Sequence, residues 1–285
     1  MEFPEYLPLS STQNIDLEIK LGQTGYTFSS LTGSRIYSYC MPDKNDFMMR
    51  IQGVASYRAF NGNSICIFPE EEANRSDVNV YVSSNAMAAI LFQRNALPLH
   101  AGGIFINDEL VLVMGDSGAG KSSLLFHAMQ KGYRMFSDDV VVVSDTTTYP
   151  LEVHASYPQM KLWKHQLNEL NHLAVFPVRK GVDKYPFYFH RCFESDPIVP
   201  KRIFILKTVD NLSGVQIQKL SGGESFVELN SFIYRKEYFN AHDPTGIFNS
   251  ISQLANQSNI YLIKRPTDID TASQVAELFL HYSRV

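Results

Sequence analysis

The chain has 285 residues, of which 45% are hydrophobic and 19% are charged, so it can bury the core of one large domain or two smaller ones. Its formal charge of −4 and the absence of any basic run argue against a nucleic-acid partner or an anionic membrane surface. The three cysteines, Cys40, Cys66 and Cys192, are far apart and include no CxxC pair, which is typical of a reducing compartment.

The first residues do not resemble a targeting signal, and no segment resembles a membrane span. Glu2 and Glu5 occur early, and no continuous apolar core follows them. No stretch approaches the roughly 20 apolar residues that cross a bilayer. The sequence therefore predicts a cytoplasmic protein with no membrane partner.

Residues 1–84 are predicted to form a β-rich lobe of short strands separated by turns. No apolar period of helical length occurs in this lobe, and no motif in it indicates a chemistry. The predicted strands cover residues 15–21, 35–39, 47–51, 65–68 and 78–82.

After residue 84, predicted helices and strands alternate, which indicates an α/β sheet domain over residues 85–285. The predicted helices cover residues 84–94, 122–131, 161–172, 225–239, 246–257 and 270–282, the last of them capped by Asp270. The predicted strands cover residues 103–106, 110–114, 140–143, 203–206 and 260–263, with an Asn107-Asp108 hairpin turn between the first two. Residues 174–200 are rich in proline, aromatic and basic residues and are predicted to be irregular.

Residues 115–122 read Gly-Asp-Ser-Gly-Ala-Gly-Lys-Ser and satisfy the phosphate-binding loop (Walker A) pattern G-x-x-x-x-G-K-[ST] in full. The glycines permit backbone N–H groups to point at an anion, Lys121 reaches the β- and γ-phosphates, and the Ser122 hydroxyl can bind Mg²⁺. The strand before the loop and the helix after it supply the required context, whereas the alternative is a glycine-rich turn with an exposed lysine. The predicted nucleotide contacts are Gly115, Asp116, Ser117, Gly118, Ala119, Gly120, Lys121, Ser122 and Ser123.

A protein with such a loop also needs a carboxylate for the metal ion or for the nucleophile. Asp145 follows the apolar run 140–143, but the three threonines after it indicate an ordinary polar turn. Asp138 and Asp139 precede the same run and are separated from the loop by one short helix. Adjacent acids beside a core need a partner, because an unpaired charge there is costly.

The two aspartates are expected to point in different directions because they are neighbours. One could then accept a proton from a substrate while the other contacts a metal ion or a basic side chain. The alternative is that both are ordinary residues at the start of a strand, and their position alone leaves both interpretations open.

His100 stands just before the predicted hairpin, in the segment Leu-Pro-Leu-His-Ala-Gly-Gly (97–103). The glycines after it permit the close approach of a ligand or of another backbone segment. A single histidine is more often structural than catalytic, so the residues alone do not decide its role.

Together these segments resemble the HPr kinase/phosphorylase family and its shorter HPr-kinase-like relatives, which include the kinases found beside lasso-peptide biosynthesis genes. In that family a histidine precedes the loop lysine across a β-hairpin, and a pair of aspartates follows the glycine-terminated helix. His100, Lys121 and the pair Asp138-Asp139 match in order and spacing. The strong match covers about residues 84–145, and the later strand–helix pattern is similar but weaker.

The resemblance implies a role for each matched residue, with ATP and Mg²⁺ as ligands. Lys121 and the loop amides would hold the phosphates, and Ser122 would bind Mg²⁺. One of Asp138 and Asp139 would accept the proton of the attacking hydroxyl, and either could contact the metal ion. His100 would position that acid or the transferred phosphoryl group.

The resemblance also implies a P-loop kinase domain of the HPr kinase/phosphoenolpyruvate carboxykinase type over residues 85–285. The bifunctional family carries a Glu-x-Arg-Gly element with a metal-binding glutamate, but residues 156–163 here contain no such glutamate. This departure argues against a second protein ligand to the metal and against phosphorylase activity. Residues 1–84 also differ from that family's first domain, so HPr is not expected as the substrate.

The sequence therefore predicts phosphoryl transfer from ATP to a serine-type hydroxyl on a peptide, and the subgroup resemblance favours a lasso-peptide precursor. A kinase for a small-metabolite hydroxyl and a non-catalytic ATP-binding regulator are the alternatives. The bifunctional relatives form hexamers, but the different first lobe leaves the oligomeric state unassigned. Four basic residues of the irregular segment could attract an acidic peptide or could simply be solvated: Arg179, Lys180, Lys184 and Arg191.

Overall fold

The chain divides into two compact units in the computed structural model. The first unit contains residues 1–96, 163–185 and 235–243, and the second contains residues 97–162, 186–234 and 244–285. The structure describes residues 16–23, 28, 31–34, 36–143, 149–170, 177–178, 181–190, 193, 196–239 and 243–284. Among these residues, no helix combines the length and the apolar character that a bilayer span requires.

The first unit contains a six-stranded sheet in the order β1-β6-β5-β4-β3-β2. The strands are β1 (Glu18–Leu21), β2 (Thr32–Gly33), β3 (Tyr37–Asp43), β4 (Asp46–Ile51), β5 (Ala55–Phe60) and β6 (Ser64–Pro69). Neighbouring strands are antiparallel, except for β1 and β6, which are parallel. Alternate residues of β4, such as Phe47 and Met49, are fully buried. Strands thus predominate among the described residues up to Pro69, and one of them, β5, is absent from the predicted strands.

Two helices, α1 (Arg75–Tyr81) and α2 (Met87–Gln93), follow this sheet and are joined by a π-helical turn at Val82–Ala86. The strand predicted over residues 78–82 is therefore wrong, whereas the helix predicted over residues 84–94 is confirmed. Valines at alternate positions imitate the period of a strand here. The side chain of Asn74 instead caps a helix by accepting a hydrogen bond from the Ser76 N–H at 2.9 Å.

Strands and helices alternate through the rest of the described chain, which confirms a mixed α/β architecture. The strands are β7 (Leu97–Leu99), β8 (Ala101–Ile106), β9 (Glu109–Gly115), β10 (Met135–Ser137), β11 (Val141–Val143), β12 (Val153–Ala155), β13 (Gln159–Trp163), β14 (Lys184–Tyr188), β15 (Arg202–Val209), β16 (Gln216–Leu220) and β17 (Asn259–Pro266). The helices are α3 (Lys121–Gln130), α4 (Lys164–Glu169), α5 (Gly222–Ser231), α6 (Lys236–Phe239), α7 (Pro244–Gln257) and α8 (Ala272–Tyr282).

The main sheet of the second unit has the strand order β10-β8-β9-β15-β17-β16. Strands β9, β15 and β17 are parallel, so their carboxyl ends meet at one edge of the sheet. Strand β8 is antiparallel to β9, and β10 is antiparallel to β8, so the start of β8 and the end of β10 lie at this edge too. We call it the loop edge, because β9 ends there and residues 115–122 follow.

The hairpin of β8 and β9 follows from its turn residues. Asn107 and Asp108 adopt φ values of 52° and 60°, which are the left-handed values that a type I′ turn requires. All of β8, and all of β9 except Glu109, is buried, as expected for strands covered on both faces. The predicted hairpin, and the strand and helix predicted on either side of the loop, are confirmed.

Two antiparallel pairings hold the β7–β8 junction beside the β10–β11 junction. In a separate three-stranded sheet of order β12-β11-β7, Leu99 lies opposite Val141. In the main sheet, Gly103 lies opposite Ser137. The residues between these pairs, among them the predicted histidine and the two aspartates, therefore face each other.

Gly102 allows the two junctions to approach closely. A Cβ atom at this position would lie 2.7 Å from the carbonyl oxygen of Asp138 and 3.0 Å from that of Ser137, and it would overlap with the side chain of Leu125. The sequence predicts that the glycines permit a ligand or another backbone segment to approach closely. At Gly102 the approaching group is backbone, namely the carbonyl groups of Ser137 and Asp138.

The helix predicted over residues 161–172 is wrong at its start. Residues 159–163 form strand β13, which pairs with β14, because Met160 and Leu162 are buried at alternate positions. Helix α4 begins only at Lys164, and residues 171–172 lie outside the described residues.

The helix predicted over residues 225–239 is interrupted. Helix α5 ends at Ser231, because Ile233 forms an antiparallel bridge with Leu99 and the Tyr234 N–H donates to the Pro98 carbonyl at 2.9 Å. The pairing with β7 thus replaces helical hydrogen bonds at this point.

The remaining predicted elements are confirmed within a few residues. Helices α7 and α8 match the last two predicted helices, although the N-cap residue of α8 is Thr271 rather than Asp270. The Asp270 carboxylate, one residue before the cap, accepts a hydrogen bond from the Ala272 N–H at 3.0 Å. Strands β11, β15 and β17 match the last three predicted strands. Within the segment predicted to be irregular, β14 is an exception.

We expect Gly102→Ala to lower the free energy of unfolding by about 1–3 kcal/mol, because the added methyl group must displace the Asp138 backbone. Urea unfolding followed by circular dichroism measures this loss. The control is Gly223→Ala in the first turn of α5, where a Cβ atom would meet nothing within 4 Å. An equal effect of the two substitutions would contradict this explanation.

Candidate functional site

Within the phosphate-binding loop the Ala119 N–H donates to the Asp116 carbonyl at 3.0 Å, whereas the first amides of the following helix have no side-chain partner. Gly118 and Gly120 have φ values of 88° and 104°, which residues with a Cβ atom rarely adopt. Helix α3 begins directly after Gly120 without any side-chain hydrogen bond to its first N–H groups. The first N–H groups of a helix have no partner within the helix, so they can bind an anion here.

The ends of strands β9 and β15 fix the position of this loop. Gly115 is the last residue of β9 and lies opposite Leu206 of the parallel strand β15. A Cβ atom on Gly115 would lie 3.1 Å from the Leu206 carbonyl oxygen and 3.3 Å from the Cβ of Ala119. The loop therefore folds back tightly onto the strand ends, and Asp116, at its exposed tip, faces solvent.

Lys121, the invariant lysine of the pattern, points into the second unit rather than into solvent. Only 6% of its surface is exposed, and its ammonium group donates a hydrogen bond to the backbone carbonyl of Asp138. The same nitrogen lies 3.9 Å from Oδ1 of Asp139. The structure thus brings together the predicted lysine and the predicted pair of acids.

The two aspartates have different surroundings. Asp138 is 2% exposed; its Oδ2 accepts a hydrogen bond from the Lys161 N–H at 3.3 Å, and its Oδ1 has no partner among the described residues. The carboxylate of Asp139 is 29% exposed and pairs with the Lys161 ammonium group at 2.6 Å. As predicted for neighbours, one side chain is enclosed and the other can be reached.

Lys161 is a site residue that the sequence analysis did not identify. It lies in strand β13, where its side chain leaves the sheet toward Asp139 while Met160 and Leu162 are buried. Burial alone would lower the pKa of Lys161, but the adjacent Asp139 carboxylate outweighs this and raises the pKa well above its usual range. Only a correct assignment of residues 159–163 as a strand could have indicated this position.

Asp139 lies at the centre of the charged groups. Burial alone would raise its pKa, but the ammonium groups of Lys161 and Lys121, followed by His100, lower the pKa far below its usual range. Asp139 is therefore a carboxylate at any physiological pH.

His100 faces Asp139 from the β7–β8 junction. Its Nδ1 atom lies 3.0 Å from the Asp139 backbone carbonyl and 3.3 Å from the Asp139 carboxylate. Because a carbonyl only accepts, Nδ1 must carry the proton of this hydrogen bond, which leaves Nε2 as an acceptor. Burial, together with the positive charge of Lys121, lowers the pKa of His100, so the ring is neutral at pH 7.

Neighbouring residues fix the orientation of His100. Its backbone N–H donates to the Phe232 carbonyl at 2.7 Å, and its ring stacks on that of Tyr234 with 6.0 Å between centroids. Both contacts come from the segment that interrupts the helix predicted over residues 225–239. Because the helix ends at Ser231, Phe232 and Tyr234 can make these contacts with His100.

The residues present fit a nucleotide phosphate chain and a divalent cation. Two left-handed glycines, an uncapped helix N-terminus and a buried ammonium group form an anion site. The Ser122 hydroxyl and Oδ1 of Asp138 make no hydrogen bond with the described residues and are oxygen donors of the kind that Mg²⁺ prefers. Within the described part of the chain, no three His, Cys, Asp or Glu side chains form a metal site by themselves.

Several other candidates lie elsewhere. Asp145, Arg179, Lys180, Arg191 and Cys192 are outside the described residues. Lys184 lies over the indole ring of Trp163 at 4.8 Å from the centroid. Cys40 and Cys66 are free thiols.

No protein-family model and no curated protein matches the sequence. Among solved structures, the HPr(Ser) kinase/phosphatase from Coxiella burnetii is similar to this chain with a TM-score of 0.34 and 12% sequence identity. The match covers 66% of this chain and 88% of that chain. A similarity at this level carries no argument about fold or activity, and the interpretation of the site rests on its own geometry.

We expect Asp139→Asn to lower the free energy of unfolding at pH 7 by about 1–3 kcal/mol, because the buried ammonium group of Lys121 and the partly buried one of Lys161 lose their charged partner. The pKa of Asp139 is lowered by folding, so its contribution is complete above the unfolded pKa of about 3.9 and is lost as the pH falls below it. The difference between variant and wild type should therefore shrink below about pH 4.

Urea unfolding at several pH values between 3 and 7 measures this difference. The control is Asp210→Asn, because Asp210 is exposed and has no ion pair or hydrogen bond within the described residues. A destabilisation by Asp139→Asn that stays constant over the whole pH range would contradict the assignment.

Proposed function

We propose that this protein is a kinase that transfers the γ-phosphoryl group of ATP to a hydroxyl group. The observation that carries this proposal is the convergence of Lys121 and Asp139, whose Nζ and Oδ1 atoms lie 3.9 Å apart at the loop edge. A phosphate-binding loop alone would suit any nucleotide-binding protein. A reachable carboxylate beside the loop lysine is what phosphoryl transfer to an oxygen nucleophile requires in addition.

Lys121 and the loop amides bind the phosphates in this proposal. The ammonium group is positioned to exchange its hydrogen bond to the Asp138 carbonyl for one to a phosphate oxygen. Bound Mg²⁺ supplies further neutralisation of the phosphate charge, and the Ser122 hydroxyl and Oδ1 of Asp138 are the groups that would hold it.

Asp139 orients the acceptor hydroxyl and receives its proton. Asp139 is preferred to Asp138 because its carboxylate is partly exposed, whereas that of Asp138 is enclosed. Its lowered pKa makes it a weak base, which suits a loose transition state in which the attacking oxygen needs alignment more than deprotonation. His100 holds the Asp139 backbone through Nδ1 and keeps Nε2 available as a further acceptor.

The acceptor is proposed to be a serine-type hydroxyl on a peptide, with a lasso-peptide precursor as the specific candidate. Support for the peptide comes from the sequence resemblance to the shorter HPr-kinase-like kinases. A small-metabolite hydroxyl and a regulator that binds ATP without transfer are the competing hypotheses, and the experiment below separates them.

With ATP labelled at the γ-phosphate, we expect wild-type protein to transfer label to an acceptor in the presence of Mg²⁺. Asp139→Asn should lower the transfer rate about 10²- to 10⁴-fold while ATP still binds, because Lys121 and the loop amides that bind the phosphates are retained. Lys121→Ala should lose both binding and transfer. Asp210→Asn and Lys131→Ala, at the far end of α3, are exposed controls of the same chemistry and should retain both.

The acceptor is identified by offering separate peptide and small-molecule fractions of an extract from the source cell. Label on a peptide supports the proposal in full, and label on a small molecule replaces only the acceptor. ATP binding without label in either fraction would overturn the kinase assignment in favour of the regulator. Unchanged transfer by Asp139→Asn would overturn the role given to that residue.

A further inference from the structure

Strand β17 brings an arginine to the loop edge from the side opposite the aspartates. Leu206 of β15 lies opposite Gly115 of β9 on one side and Ile263 of β17 on the other. Arg265 is two residues beyond Ile263, so it projects past the point at which the chain leaves β9 by about 7 Å. In strand order, β15 and β17 lie on one side of β9, and β8 and β10 lie on the other.

The guanidinium group of Arg265 lies beside Gly120 of the phosphate-binding loop. A Cβ atom on Gly120 would have one neighbour within 4 Å, which is Nη1 of Arg265 at 3.1 Å. Gly120 directly precedes Lys121 and the open N–H groups of α3. A second cation therefore lies against the loop at its anion-binding end.

Nothing in the described part of the chain neutralises or satisfies this guanidinium. Nε of Arg265 is buried without a hydrogen-bond partner, and Arg265 forms no ion pair or hydrogen bond with any described residue. Nε of Arg50 is also buried without a hydrogen-bond partner, but the Glu70 carboxylate lies 3.2 Å from the same guanidinium group. The same holds for Arg235, which has the Glu237 carboxylate at 3.9 Å. A buried, unpaired N–H is costly, so this arrangement is expected where a ligand supplies the missing acceptor.

We infer that Arg265 binds the phosphate chain of the nucleotide, an inference that rests on the proposed function. A guanidinium presents several N–H donors in a planar fork that matches two oxygens of a phosphate group. Its place beside Gly120 puts these donors next to the amides that the loop offers to the same anion. Arg265 is thus a ligand-binding residue on the β17 side, separate from the acid cluster on the β10 side.

Lys264 provides a matched comparison. It is also cationic and partly buried, but it is adjacent to Arg265 on the strand and so points to the other face of the sheet. A general effect of positive charge at this strand end would be shared by both residues. A specific contact with phosphate belongs to Arg265 alone.

Isothermal titration calorimetry with ATP and with ADP tests this inference directly. We expect Arg265→Gln to raise both dissociation constants at least about tenfold, Arg265→Lys to raise them less, and Lys264→Gln to change them less than about twofold. Urea unfolding of the nucleotide-free variants is the second measurement. Arg265→Gln should unfold at the same urea concentration as wild type or at a higher one, because a buried N–H without a partner is removed.

Each outcome decides between the two proposals. If wild type binds ATP and Arg265→Gln binds it equally well, the inference about Arg265 is wrong and the kinase proposal stands. If wild type binds neither nucleotide, the proposed function itself fails. If Arg265→Gln unfolds at clearly lower urea than wild type, Arg265 has a structural role and the inference is overturned.

Discussion

The close approach of two backbone segments at the β7–β8 and β10–β11 junctions sets the geometry of the whole site. Because Gly102 has no side chain, the carbonyl oxygens of Ser137 and Asp138 can lie against it. This contact places the Asp138 carbonyl where Lys121 reaches it and places the Asp139 backbone where His100 reaches it. Two sheets share the task, since β8 pairs with β10 in one and β7 with β11 in the other.

The two aspartates are adjacent in sequence, but their carboxylates have different charged neighbours. The two aspartates lie in the bend between β10 and β11, and only the carboxylate of Asp139 lies within 4 Å of the ammonium groups of Lys121 and Lys161. Those charges keep its carboxylate ionised despite burial, because their attraction exceeds the cost of desolvation. Lys161 occupies this position through strand β13.

Local sequence signals predicted the strands, the turn and the helix around the phosphate-binding loop. They did not predict Lys161 beside Asp139, or the end of helix α5 at Ser231. The Asn107-Asp108 turn and the glycine pattern of residues 115–122 are short-range features with direct conformational causes, and they could be read from the sequence. Lys161 could not, because a lysine in an amphipathic segment has the same appearance on a helix and on a strand. The interruption after Ser231 depends on pairing with Leu99, more than a hundred residues away, which no local propensity reports.

The strand order places Arg265, which is proposed to bind the phosphates, and the residues proposed to act on the acceptor hydroxyl on opposite sides of β9. The groups proposed to act on the nucleophile, His100 and Asp139, lie next to β8 and β10 on one side of β9, whereas Arg265 comes from β17 on the other. A phosphate chain on the loop would then be held between a side that aligns the incoming oxygen and a side that only binds. Since the parallel register of β9, β15 and β17 fixes the height of Arg265, its contact with the loop depends on the sheet rather than on the acid cluster. Substitutions on one side should accordingly leave the other side's geometry intact.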